Sequence, residues 1–305
     1  MTEVSSERTR KRRYVPQKTQ GVSLTPLKSL LLQRVAEYGI ISLPQLARLA
    51  GITPKGARRH LRELFDGGLV EVVAVARLAL APSVSASDPG LLYGSAPNLY
   101  RLKSTGKRLL IHHDLLDEAH IRIAPDYGPK NSLFLAHELA IRDVRVWLEL
   151  AAKKEPEQEL MDWREGGEAF LPLEAGDKPR CVRPDAWFVY GVGTNRLVGL
   201  VEVDRSTERG GRQWGRKVED YRTLYGSELL EKTIGFKSAR LLVFAPDVKR
   251  RDALTRLLEE NAPATVTSKV WLTTQATTEG SDLTASVWRK PNVPGLHSML
   301  NPGQT

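Results

Sequence analysis

Asp185, Glu202 and Asp204 stand in the stretch RPDAWFVYGVGTNRLVGLVEVDRSTE, residues 183 to 208, which reads as two apolar strands around a polar turn. A carboxylate inside a buried strand is costly unless something pairs with it. Alternation puts Glu202 and Asp204 on one face of their strand and Val201 and Val203 on the other. If the strand carrying Asp185 is its neighbour, the three acids converge, repel one another and raise a carboxylate pKa. A hard divalent cation relieves that repulsion. Mg2+ takes oxygen ligands, commonly one or two carboxylates completed by water and phosphate oxygens. Such a cation activates water and stabilises the leaving oxygen in phosphodiester cleavage. The competing expectation is a structural network, with Asp185 capping a turn and Glu202 and Asp204 paired to Arg183, Arg205 or Lys217.

The surrounding segments must position these acids. SLFLAHELAIRDVRVWLELAAKK predicts a long helix, with Leu133, Ala136, Ala140, Val144, Trp147 and Leu148 as its apolar stripe and His137 as a packing residue within it. ELMDWREGG and EAFLPL predict strands, and CVRPDAWFVYG and LVGLVEVD form a hairpin around VGTN. ERGGRQWGRKVEDYRTLYG predicts a helix with Trp214, Val218, Tyr221 and Tyr225 inward, and Ser206 or Thr207 as its cap. ARLLVFAPD, VKRRDALTRLLEENA and SKVWLTT then read as strand, helix and last strand. That order belongs to an α/β domain with a mixed sheet.

A second set of residues points to a polyanion. TPKGARRHLRELFDGG predicts a helix with Ala57, Leu61, Leu64 and Phe65 on one stripe. Lys55, Arg58, Arg59 and Arg62 lie opposite, at helical spacing. Two helices precede it, TPLKSLLLQRVAEYG and SLPQLARLAG, opened by Thr25 and Ser42 and closed by glycine. LVEVVAVARLAL and NLYRL follow as a strand and its return, separated by PSVSASDPGLLYGSAP. Short helix, turn, basic-faced helix and strand pair make a winged helix-turn-helix with a long wing. The basic face is expected to meet double-stranded DNA through phosphates or base edges. A solvated helix surface and a protein-docking module are the competing readings.

Composition agrees with a nucleic-acid partner. The net charge is +9 and the pI about 9.6, a balance that favours polyanions. RTRKRR, with Arg10, Lys11, Arg12 and Arg13, precedes any periodic structure; it reads either as a solvated, disordered tail or as a DNA-grasping arm, and a disordered arm can order on a phosphate backbone. Hydrophobic residues make up 41% of the 305, enough for real cores. No run approaches the about 20 apolar residues of a membrane span, and no signal-peptide core is visible, so a cytoplasmic, membrane-free protein is expected. The single cysteine, Cys181, excludes an internal disulfide and a cysteine-rich zinc site. The absence of a phosphate-binding glycine loop argues against an ATP-driven motor.

Pro184-Asp185, a gap, then Glu202-Val203-Asp204 resembles the PD-(D/E)XK nuclease pattern. More narrowly, HELAIRDVRVWLEL, RPDAWF, VEVDRSTE and the lysine-to-tyrosine spacing of KVEDY are similar to the replication-relaxation family of plasmids and other bacterial mobile elements. The resemblance spans roughly residues 25 to 275. It implies an α+β or α/β chain, a winged helix followed by a PD-(D/E)XK-like mixed-sheet domain. It makes Asp185 and Glu202 the ligands of Mg2+ (or Mn2+), with Asp204 beside them. Where the nuclease pattern has lysine, this chain has Asp204. Lys217 on the next helix is the expected substitute, with Arg205 and Arg216 as other candidates. Two functions follow. One is a plasmid or mobile-element protein that binds duplex DNA and nicks or cleaves it. The other is a non-catalytic replication or transcription regulator on a degenerate nuclease fold. A homodimer and replication or mobilisation proteins are the further partners expected. The expected layout is a basic arm (1–23), the winged helix (24–112), a linker (113–130), the nuclease-like domain (131–277) and a C-terminal tail (278–305).

Overall fold

The computed structural model describes residues 16, 21–73, 97–124, 132–173, 180–205 and 211–300, with backbone alone at 132, 133 and 211–213. The basic cluster Arg10 to Arg13, nearly all of the wing segment, residues 125–130 of the linker, and Ser206, Thr207 and Glu208 lie outside the described residues. The rest falls into two compact units. No described helix is long and apolar enough to cross a membrane.

The first unit runs α1 (Pro26–Tyr38), β1 (Ile40–Ser42), α2 (Leu43–Ala50), α3 (Pro54–Asp66), β2 (Val70–Val73), β3 (Leu99–Leu102) and α4 (Ser104–His112). Each of the first three helices opens as its residues dictate. Thr25 and Thr53 accept the N–H of Lys28 and Gly56, each followed by proline at the first turn. Ser42 and Gln45 form a reciprocal capping box. The three strands make an antiparallel sheet in the order β1-β3-β2. β1 was not expected. Ile40 and Ile41 are fully buried, and the strand is too short to show a period. Leu31, Val35, Leu46, Leu61 and Leu64 form the core with them. Part of the expected linker belongs to this unit: the Arg122 N–H donates to the Ala36 carbonyl at 2.9 Å.

The second unit holds a mixed seven-stranded sheet. Its elements are α5 (Ser132–Ala152), β4 (Gln158–Glu165), β5 (Leu171–Leu173), β6 (Arg180–Val182), β7 (Ala186–Val192), β8 (Asn195–Val203), α6 (Gly211–Tyr225), α7 (Leu229–Ile234), β9 (Arg240–Ala245), α8 (Val248–Asn261), α9 (Ala264–Thr267), β10 (Val270–Thr274), α10 (Gln275–Thr278), β11 (Ser286–Lys290) and β12 (Val293–Ser298). The order is β12-β11-β10-β9-β8-β7-β4; β8, β9 and β10 are parallel and the other pairings antiparallel. One face carries a core of Leu200, Trp214, Val218, Leu241, Leu254 and Leu258. The other carries Trp147, Phe188, Val201, Val203, Phe244 and Trp288.

Two expectations are corrected. CVRPDAWFVYG is not one strand: it breaks at Arg183-Pro184-Asp185 into β6 and β7. Pro184 has no N–H to give a ladder, and β6 leaves the main sheet to pair with β5. The residues set apart as a tail are also part of the sheet. β10 is not its last strand, because β11 and β12 follow and Trp288 of β11 is 0% exposed.

Candidate functional site

The acids sit at one end of β7 and β8. Asp185 stands just before β7 and donates its N–H to the Val201 carbonyl at 2.9 Å. Its Oδ2 accepts the Val203 N–H at 2.7 Å, and its Oδ1 lies 2.9 Å from His137 Nε2. His137 comes from α5, 48 residues earlier. In the sequence His137 reads as packing, because nothing local links it to Asp185.

Glu202 follows the expected alternation. Val201 and Val203 enter one core, while Glu202 turns to α6 and is 1% exposed. There Lys217 Nζ donates to Glu202 Oε2, and Tyr221 OH donates to Oε1 at 2.7 Å. Four residues apart, Lys217 and Tyr221 share one face of α6. That is the physical content of the KVEDY spacing.

The electrostatics tie these groups together. Burial pushes the Glu202 carboxyl up; the Lys217 charge opposes this and the Asp185 charge adds to it. Burial and the Glu202 charge hold the Tyr221 hydroxyl well above its usual range. Burial alone would depress His137, but its hydrogen bond to Asp185 and the charge there outweigh it, and the net shift is upward. Arg205 is half-buried, and burial lowers its pKa.

Asp204 has a cation of its own. It accepts Arg250 Nη2 at 2.8 Å and Nε at 3.1 Å, and Trp214 Nε1 at 3.2 Å. Arg250, on α8, is a partner the sequence reading did not name. The structure therefore brings Asp185, Glu202, Lys217, Tyr221 and His137 into one network and gives Asp204 a separate partner. Arg216 is exposed on α6.

Among the described residues, no three His, Cys, Asp or Glu side chains gather to hold a metal ion. Asp185 and Glu202 supply two hard-oxygen donors, the type and number with which Mg2+ is often held when water and phosphate complete its shell. Both Glu202 oxygens already accept a hydrogen bond. A cation there would share their remaining lone pairs.

In the first unit, Lys55, Arg58 and Arg59 are exposed on α3, opposite the buried Ala57, Leu61 and Leu64. Arg62 differs. Its guanidinium pairs with Asp66 at 2.7 Å and lies 5.3 Å from the Phe65 ring centre.

A sequence model of the replication-relaxation family matches residues 32–238. No curated protein shares significant sequence similarity with the chain. Among solved structures, restriction endonuclease FokI aligns at 10% identity over 81% of this chain and 41% of its own, with a TM-score of 0.26. The chain thus spans under half of that protein, and a superposition this loose carries no argument.

Proposed function

The chain belongs to the replication-relaxation family, and on that premise we propose that it is a DNA-binding protein of a plasmid or other mobile element, acting in replication, relaxation or mobilisation in the bacterial cytoplasm. α3 of a winged helix would dock on duplex DNA. The observation that carries this reading is the exposed row of Lys55, Arg58 and Arg59 on a helix whose other face is core. Three helices with β1 after the first and β2 and β3 after the third, paired in the order β1-β3-β2, support the winged-helix assignment. A second copy of the chain and other replication or mobilisation proteins are the further partners proposed.

Fluorescence anisotropy with duplex DNA across a salt series tests it. Arg58→Ala/Arg59→Ala should weaken binding to all sequences and reduce the salt slope by about two, roughly one per phosphate contact. Unchanged affinity and slope in a folded variant would refute the reading.

A second reading is favoured by Lys217, which brings an ammonium to Glu202 although Asp204 occupies the position of the pattern's lysine. Here the second unit cleaves phosphodiesters. Asp185 and Glu202 would hold Mg2+ or Mn2+, with Asp204 and its Arg250 at the margin. The bound ion would supply an activated water and neutralise the leaving oxygen. His137 and the Val203 N–H orient Asp185, while Lys217 offers positive charge to the phosphate. Calorimetric titration of Mg2+ and Mn2+ into wild type and Asp185→Ala/Glu202→Ala, with supercoiled-plasmid nicking on the same samples, decides it. Binding and nicking lost together in the variant support a metallonuclease. Neither in the wild type leaves a non-catalytic regulator on a retired nuclease fold.

A further inference from the structure

A guanidinium and an aromatic ring are held together just ahead of Asp185 in the chain. β5 and β6 pair antiparallel with Leu171 opposite Val182. One step further along that register sets Phe170 opposite Arg183. The Arg183 guanidinium carbon lies 5.1 Å from the Phe170 ring centre, and its Nε donates to Cys181 Sγ at 3.1 Å. The side chain is thus tethered twice, yet it is exposed, and Phe170 is 43% exposed. Both flank a strand pair held by the buried Leu171, Leu173 and Val182.

The position matters more than the pair. Arg183 stands two residues before Asp185, at the break between β6 and β7. The cations Arg205, Lys217 and Arg216 belong to the segments that follow Glu202. A phosphate backbone led to Asp185 and Glu202 would set a nucleotide near Phe170.

We propose that Phe170 and Arg183 form a stacking platform for an unpaired base of single-stranded DNA, and that the second unit engages an opened strand. The proposal deepens the strand-cleaving reading of the second unit and rests on it for the path of the strand. Aromatic rings and guanidinium planes both stack bases. A base within an intact duplex has no free face to offer and must leave its stack to do so. The remaining nitrogens of Arg183 are donors of the kind phosphate oxygens accept. Duplex binding stays with α3, so the two DNA forms report on different surfaces.

The test uses the full chain, a labelled oligothymidylate and a labelled duplex, with anisotropy read in EDTA. Phe170→Ala and Phe170→Leu should each lower single-strand affinity about five- to 150-fold, the range for one stacked base. Leucine keeps the apolar bulk without the ring, so it separates stacking from folding. Arg183→Lys should fall less than Arg183→Ala. Duplex affinity should stay within twofold of wild type in all four. Wild-type single-strand affinity in Phe170→Leu would overturn the proposal and leave Arg183 as a cover that hides an aromatic ring from water. Parallel loss on duplex would also overturn it, as would a Phe170-dependent preference for oligouridylate. Phe170-dependent strand binding without any metal-dependent nicking would sustain this proposal while the cleavage reading fails.

Discussion

Lys217 of α6 neutralises Glu202 of β8, so a carboxylate that is 1% exposed is held by an ammonium whose side chain is 35% exposed. Removing one partner of a fully buried pair costs about 3–5 kcal/mol. Lys217 reaches solvent and Tyr221 still binds Glu202, so Lys217→Met should cost less, about 1–3 kcal/mol in urea denaturation. Glu202→Gln in the same background should recover most of that loss. A double-mutant cycle with no coupling would show that the pair does not hold the strand to the helix.

Gly199 of β8 lies opposite Phe188 of β7. A Cβ at Gly199 would stand 2.4 and 2.5 Å from two Phe188 ring carbons. Phe188 is fully buried and stacked on Trp163, with ring centres 6.3 Å apart, and has no room to swing. Gly199→Ala should therefore cost about 1–3 kcal/mol, the usual range for overpacking. Phe188→Leu should relieve part of it. A thermal midpoint equal to wild type would contradict this packing.

Burial raises the hydroxyl pKa of Tyr190, Tyr221 and Tyr225 above the ordinary 10.0, with the Glu202 charge contributing for the latter two. The folded state binds these protons more tightly than the unfolded chain does. Their contribution to stability is complete below pH 10 and is lost as pH rises beyond it. Absorbance of tyrosinate should show these three titrating only with alkaline unfolding, well above pH 10. Tyr221→Phe should shallow the loss of stability above pH 10. All tyrosines titrating near 10 in a folded protein would refute the burial.

Trp288 sits edge-on to Phe244 with ring centres 5.4 Å apart and lies 6.2 Å from Trp147. Trp288→Ala should cost about 3–5 kcal/mol. Its Nε1 makes no hydrogen bond among the described residues, so Trp288→Phe should cost much less. A mild effect of the alanine variant would mean that β11 is an appendage.

Local chemistry made much of this architecture legible. Thr25, Ser42 and Thr53 cap the helices they announce. The Gly193-Thr194 turn joins β7 to β8 at Val192 and Asn195. The alternation around Glu202 and the helical spacing of Lys217 and Tyr221 are local facts, and both survive in the fold. What was not legible depends on distant partners. β11 and β12 pair with irregular register, so SVWRK and VPGLHS show no clean alternation. His137 meets Asp185 only because α5 and β7 share a core, and Arg250 meets Asp204 across 46 residues.

The seven-stranded sheet has a consequence for synthesis. The described residues of the first unit are complete by residue 124, and that unit can fold while the chain is still being made. The second unit cannot close its core until Trp288 has emerged, although Trp147 and Phe244 wait for it. A nascent chain therefore carries a finished first unit ahead of an unfinished sheet, and a ribosome stalled before β11 would release a protein with exposed indole and phenyl surface. The second unit's solubility thus rests on β11 and β12 arriving to cover that surface.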